Sequence, residues 1–273
     1  MNAQIRSRRV EEPTLHSGKF KKSDLAPERA PVRDIMRGAE NKGEATMADL
    51  LPRLETLKGR KRVLWRRETA RGGSFGFLVD AQVTKEEGRI LLRFSNGIAN
   101  TGRGPMEVGG DTNRETRRGG KRSMPAYQRV YQTEGPPREV FVGRMVFDPD
   151  PDHRHWHYAG FAEYNLYDAS GTRRRRSRKQ AFCLEDFDRM KKRARAEYPR
   201  CRPTKMGVSP GWADTYTWDL HGQQVDITTL PSGTYRLESV ANPTRRLVEQ
   251  SHAGNRATVR LQIDKAAGRV TIL

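Results

Sequence analysis

The chain is poor in the residues that build a large apolar interior: 34% of its 273 positions are hydrophobic and 8% aromatic, against 31% charged. That balance implies a folded portion diluted by heavily solvated segments. No apolar run approaches the roughly 18 residues of a membrane span, so no transmembrane helix is expected. The opening MNAQIRSRRVEEPTLHSGKF carries charge without the apolar stretch of a secretory leader, and as written it shows no export signal. Two cysteines, Cys183 and Cys201, are too few for a disulfide-dense scaffold. Their separation permits one bridge in an oxidising compartment or two free thiols in the cytosol.

Acidic residues are also in deficit, with 33 Asp and Glu against 52 Lys and Arg, a formal net charge of +19. Such a field attracts nucleic acid, anionic membrane or acidic polymers; it speaks to partners rather than to fold. From Thr172 to Lys205 there are 14 Lys and Arg against 4 Asp and Glu, so over half of the surplus lies in one short region. Aromatic residues there are limited to Phe182, Phe187 and Tyr198, which does not indicate a base-stacking platform and argues against nucleic acid.

Residues 1–45 are polar, mixed in charge and interrupted by Pro13, Pro27 and Pro31, and read as a mobile tail ahead of one domain over 46–273. Met47, Leu50, Leu51, Leu54 and Leu57 have helical spacing, but Pro52 equally allows an extended lead-in. The stretches VLWRRE, FGFLVDAQV, RILLRFS, YQRVYQT, VFVGRMVF, FAEYNLYDA, TYRLESVA and ATVRLQI are rich in β-branched and aromatic residues between turn formers, and predict strands. EDFDRMKKRARAEY, with acids first and bases later, predicts a short helix. The expected fold is an all-β sandwich with long loops and that one helix.

Histidine is scarce as well, yet three of the six fall in DHRHWHY, as His153, His155 and His157. On an extended segment these alternate positions project to one face while Arg154 and Trp156 point away. Straight geometry would set the outer pair roughly 13 Å apart, so the segment must bend or use different ring nitrogens. Neutral imidazoles suit Zn, Cu, Ni and Fe, and three nitrogens leave a coordination position open for chemistry. Alternation favours a metal over a solvated histidine strand or a pH-sensing cluster.

The blocks HRHWHYAGFAEYNLYDA, KQAFCLED and GVSPGWADTYTWDLHGQQVDITTLPSGTYRL, in this order, resemble the catalytic domain of the lysyl oxidase family. The resemblance spans roughly residues 60–265. It is strongest from His153 to Leu237; upstream, RILLRFSNGIANTGRGPMEV resembles the first strands of bacterial members. It implies a copper(II) site at His153, His155 and His157, and a lysine tyrosylquinone cofactor formed from Lys179 and Tyr216. It further implies oxidative deamination of primary amines, peptidyl lysine among them, by molecular oxygen to aldehyde, ammonia and hydrogen peroxide. A carboxylate base is then required, and Asp214 shares a strand face with Tyr216.

The family setting implies a secreted or cell-envelope location, with the cytoplasm as the alternative. Trp212 and Gly222 stand where the animal enzymes have a cysteine pair, and Glu163 where they have a further histidine. A Cys183–Cys201 bridge would replace part of the lost bracing. The rival reading is a non-catalytic metal-binding β-sandwich that docks on an anionic cell-envelope polymer or nucleic acid through Arg173 to Lys205.

Overall fold

A computed structural model describes residues 49–66, 71–77, 81–150, 154–177, 181–220 and 222–273, with the side chains of 59–66 and 71–77 outside the description. The expected tail over 1–45, and with it that domain boundary, lies outside the described residues, as do His153 and Lys179.

The fold is all-β, built from antiparallel sheets. The largest has eight strands and runs in the order Ala181–Phe182, Trp156–Ala159, Arg138–Phe147, Lys121–Gln132, Met106–Gly110, Met206–Val208, with Asp49–Leu50 and Thr116–Arg118 also paired to Lys121–Gln132. A five-stranded sheet runs Arg173–Ser177, Ala162–Asp168, Gly233–Ala241, Arg256–Asp264, Arg269–Ile272. A six-stranded sheet contains Leu54–Thr56, Asn96–Asn100, Trp212–Tyr216, Asp188–Arg189, Gly59–Arg66 and Arg71–Phe77, and a three-stranded sheet contains Gln224–Asp226, Arg89–Phe94 and Ala81–Glu86.

Period-two patterning explains the layers. In Arg256–Asp264, Ala257, Val259, Leu261 and Ile263 are buried while Arg256, Arg260 and Gln262 are exposed, so one face packs and the other is solvated. One core cluster takes residues from all four sheets: Leu92 and Phe94, Ile98, Val108 and Met145, and Tyr164, Leu237 and Leu261. The lead-in is extended, with strands Asp49–Leu50 and Leu54–Thr56 on either side of buried Pro52.

The helix expected over EDFDRMKKRARAEY does not form. Asp188–Arg189 is instead a two-residue strand between Trp212–Tyr216 and Gly59–Arg66, and the remainder is turn and loop. The reason is the buried Asp186. Its carboxylate accepts from the amides of Glu197 (2.9 Å), Tyr198 (3.0 Å) and Ser209 (2.7 Å), and from the Ser209 hydroxyl (2.7 Å). These bonds satisfy backbone donors that a helix would have satisfied internally, and they close the segment into a compact loop.

Two outcomes follow for stability. Asp186→Ala removes an acceptor shared by four donors inside the protein and should cost about 3 kcal/mol, read as a lowered urea midpoint at unchanged slope. Burial pushes the phenols of Tyr158 and Tyr164 well above their ordinary range. A raised folded-state value means that their contribution is intact below about pH 10 and is lost as the pH climbs toward those values. Unfolding free energy should therefore fall above about pH 10 by about 1.4 kcal/mol per pH unit for each such tyrosine, and Tyr164→Phe should flatten the slope by one such share.

Candidate metal and phenol site

The histidine segment bends, one of the two outcomes its spacing left open. Arg154 adopts a positive φ of 35°, an uncommon conformation for a side-chain-bearing residue. His155 lies in the bend and Trp156–Ala159 forms the strand that follows. The rings of His155 and His157 then meet edge to face with centroids 4.5 Å apart, and their Nε2 atoms are 2.8 Å apart. Two nitrogens bound about 2.0 Å from one ion at a right angle would have this separation, so the pair fits two donors to one metal ion. His153 would be the third ligand of the expected set, but it falls outside the described residues.

Two groups brace the pair. Asp148 donates its amide N–H to the His155 carbonyl (3.0 Å), and its carboxylate stands 3.8 Å from His157 Nδ1, close enough to favour a proton on that nitrogen and leave Nε2 as the donor atom. On the opposite face, Trp156 packs on Phe147, its partner across the sheet, with ring centroids 5.6 Å apart. The Arg122 guanidinium covers both rings, 4.4 Å from the Phe147 centroid and 5.1 Å from that of Trp156. Arg122 is itself fixed by a two-pronged bond to Glu115 (2.7 and 3.1 Å), which holds the Glu115 carboxyl below its ordinary range. Neither Asp148 nor Arg122 was evident as a site residue in the sequence; the only signal was the acid-rich FDPDPD just before the histidines.

Tyr216 ends the strand Trp212–Tyr216 in a different sheet. Its ring lies 4.3 Å from that of Phe182, and its hydroxyl accepts the Cys183 amide N–H at 2.6 Å and faces the Cys183 carbonyl at 3.4 Å. Burial is the main reason the phenol is pushed well above its ordinary range, followed by the charge of Asp214; the Cys183 amide acts in the opposite direction. Asp214 is buried on the same strand, two residues before Tyr216, as its spacing predicted. Lys179, two positions before the strand Ala181–Phe182, lies outside the described residues.

Cys183 joins the two halves. Phe182 pairs with Tyr158 on the histidine strand. Cys183 is bonded to Cys201, with Cα atoms 5.5 Å apart, and the two sulfurs lie within 4.8 Å of a His155 ring nitrogen. One residue thus borders His155 through its sulfur and Tyr216 through its amide.

Three arginines of the basic run are engaged within the protein. Arg174 pairs with Asp168 at 2.8 Å, Arg175 donates to the Asp226 carbonyl at 3.0 Å and to Thr229, and Arg176 pairs with Glu163. Glu163 therefore anchors the edge strand Arg173–Ser177.

These features define an all-β domain with converging imidazoles next to a partly buried phenol. Residues 142–272 match the family model described as Lysyl oxidase. The chain's curated relatives are distant. Lysyl oxidase homolog 2 of Gallus gallus is 31% identical over 113 residues, 41% of this chain and 14% of that protein. Lysyl oxidase homolog 4 of Mus musculus is 33% identical over 113 residues, 41% of this chain and 15% of the relative. Protein-lysine 6-oxidase of Sus scrofa is 37% identical over 108 residues, 38% of this chain and 41% of the relative. The chain thus spans well under half the length of these relatives.

The bracing of the histidines has a direct test. Asp148→Ala should weaken copper(II) binding by about tenfold, with Asp148→Asn in between, measured by competition with a chelator of known affinity. Unchanged affinity in both variants would remove Asp148 from the site.

Proposed function

We propose that this protein is a copper-dependent amine oxidase of the lysyl oxidase type, of the bacterial kind, which converts primary amines, peptidyl lysine among them, to aldehydes with release of ammonia and hydrogen peroxide. The observation that carries this reading is the position of Cys183, which borders His155 through its sulfur and holds the Tyr216 hydroxyl through its amide. A metal-binding face and an oxidisable phenol on either side of one residue are what such chemistry needs, and the match of residues 142–272 to the family model supports it.

When bound, copper(II) and a lysine tyrosylquinone supply an electrophilic carbonyl for the amine and a route for electrons to oxygen. In this reading His153, His155 and His157 hold the metal, and Asp148 keeps the His157 lone pair on Nε2. Tyr216 supplies the ring and Lys179 the nitrogen that crosslinks to it. With no metal, burial keeps the phenol protonated, while the Cys183 N–H is poised to stabilise negative charge on its oxygen. Phe182 packs on the ring and restricts its orientation. Asp214 takes the proton from the α-carbon of the substrate onto a carboxylate oxygen.

The disulfide supports an extracytoplasmic location, since such bonds persist where thiols are not kept reduced.

Peroxide release from a panel of primary amines and a lysine-rich peptide tests the assignment, on copper-loaded wild type and variants. Tyr216→Phe should give no peroxide, Lys179→Ala only a trace, and both should still bind copper, whereas His155→Ala should lose stoichiometric copper. Digestion of the wild type should yield one peptide pair joined between Lys179 and Tyr216, seen by mass spectrometry. Equal peroxide from wild type and Tyr216→Phe would overturn the reading in favour of a metal-binding module without amine oxidase chemistry.

A further inference from the structure

Among the described residues, sulfur and imidazole donors converge at one place. Sγ of Cys183, Sγ of Cys201 and a ring nitrogen of His155 all lie within 4.8 Å of one another, and all three residues are partly exposed. His157, whose Nε2 is 2.8 Å from that of His155, stands outside this group of three. While the sulfurs are bonded to each other neither is a thiolate, so the imidazoles are the donors on offer.

We propose that reduction of the Cys183–Cys201 bridge creates a second metal site, formed by Cys183, Cys201 and His155, that takes zinc(II) and withholds the His155 imidazole from copper(II). A dithiol is the reductant: its two thiols become a disulfide as the Cys183–Cys201 bond breaks into two thiols, a transfer of two electrons and two protons. Zinc(II) then binds with release of both thiol protons, which leaves two thiolates, one neutral imidazole and a water in a tetrahedral set.

The dimensions agree. Zinc–sulfur bonds of about 2.3 Å and zinc–nitrogen bonds of about 2.0 Å at tetrahedral angles separate the donors by roughly 3.3–3.8 Å, inside the cluster already present. The Cα separation of 5.5 Å leaves the sulfurs to move apart by side-chain rotation. Thiolate prefers zinc(II), whereas an all-nitrogen set suits copper(II), so the oxidation state of one bond selects between the two ions. Because Cys183 also holds the Tyr216 hydroxyl, the selection takes place beside the phenol.

The inference shares His155 with the proposed oxidase site but does not require amine oxidation. Its test reads thiolate coordination, so its failure and the failure of the oxidase reading are separable. Full-length protein, oxidised or reduced with dithiothreitol and then freed of reductant without oxygen, is titrated with cobalt(II) as the spectroscopic stand-in for zinc(II). The reduced protein should bind one equivalent with thiolate-to-cobalt charge-transfer absorption in the near ultraviolet, which one equivalent of zinc(II) abolishes; the oxidised protein should lack that absorption. Cys201→Ser and His155→Ala, treated in the same way, should each bind at least about tenfold more weakly. Near-ultraviolet circular dichroism follows the tertiary structure of each sample. Cobalt binding to reduced wild type without thiolate bands, bands that arise only where the tertiary signal is lost, or undiminished binding by His155→Ala would each overturn the proposal.

Discussion

The 2.6 Å hydrogen bond from the Cys183 amide to the Tyr216 hydroxyl ties together parts of the chain that are distant in sequence. Cys183 follows a strand that pairs with the histidine strand in the eight-stranded sheet, whereas Tyr216 ends a strand of the six-stranded sheet. If the amide moved, the phenol would lose its polar partner inside the protein, at a cost of about 1–3 kcal/mol. The disulfide to Cys201 limits that movement, and Phe182 fills the space against the Tyr216 ring. The site is therefore preorganised by groups whose other contacts belong to the core, which keeps its geometry stiff without a helix beneath it.

The loop that carries Cys201 is held by buried acids. Tyr198 donates its backbone N–H to Asp186 and its hydroxyl to Glu107 (2.7 Å), so one residue is fixed at both ends. Glu107 is fully buried and also accepts from Arg129 (2.9 Å) and the Tyr131 hydroxyl (2.8 Å). A buried carboxylate is tolerated because its oxygens are met by several donors; removing one donor would leave charge uncompensated. Burial, with Glu107 beside it, pushes the Tyr131 phenol up to about 12. These acids do the work that several disulfides could do in a more crosslinked scaffold. Glu249 repeats the device at the lead-in, accepting from the Leu54 amide and from Asn242 and Asn255.

Much of the fold was legible because strand patterning is local. TYRLESVA and ATVRLQI became Gly233–Ala241 and Arg256–Asp264 with pairing along their length, and Arg154 supplies the bend that was one of two outcomes the histidine spacing allowed. The helix over EDFDRMKKRARAEY was misread because its charge order has the helical sign, while the deciding partner, Ser209, lies 23 residues beyond Asp186. Local propensity could not reveal that competition. Asp148 and Arg122 were hidden for a similar reason: each reaches the histidine strand from another part of the fold, and only the acid-rich FDPDPD hints at Asp148. Cys183 was evident as a cysteine, but the role of its backbone amide was not, since every residue other than proline carries one.

The net charge of +19 sets a further constraint on any amine reader, because protonated amines are repelled by the average field of such a protein. Screening confines that repulsion to about 8 Å at physiological ionic strength, so the charges nearest the reacting groups decide approach. Around Tyr216 those charges are acidic: Asp214 and Glu185 both act on its phenol. Asp148 adds a carboxylate beside His157. Meanwhile Arg174 and Arg176 of the basic run are drawn away into pairs with Asp168 and Glu163 on the five-stranded sheet. The chain thus sorts its charge, placing cations on an edge strand where carboxylates partly neutralise them and leaving acids beside the phenol. Under the proposed amine oxidase reading, the local field around Tyr216, rather than the net charge, is the quantity that would set amine affinity.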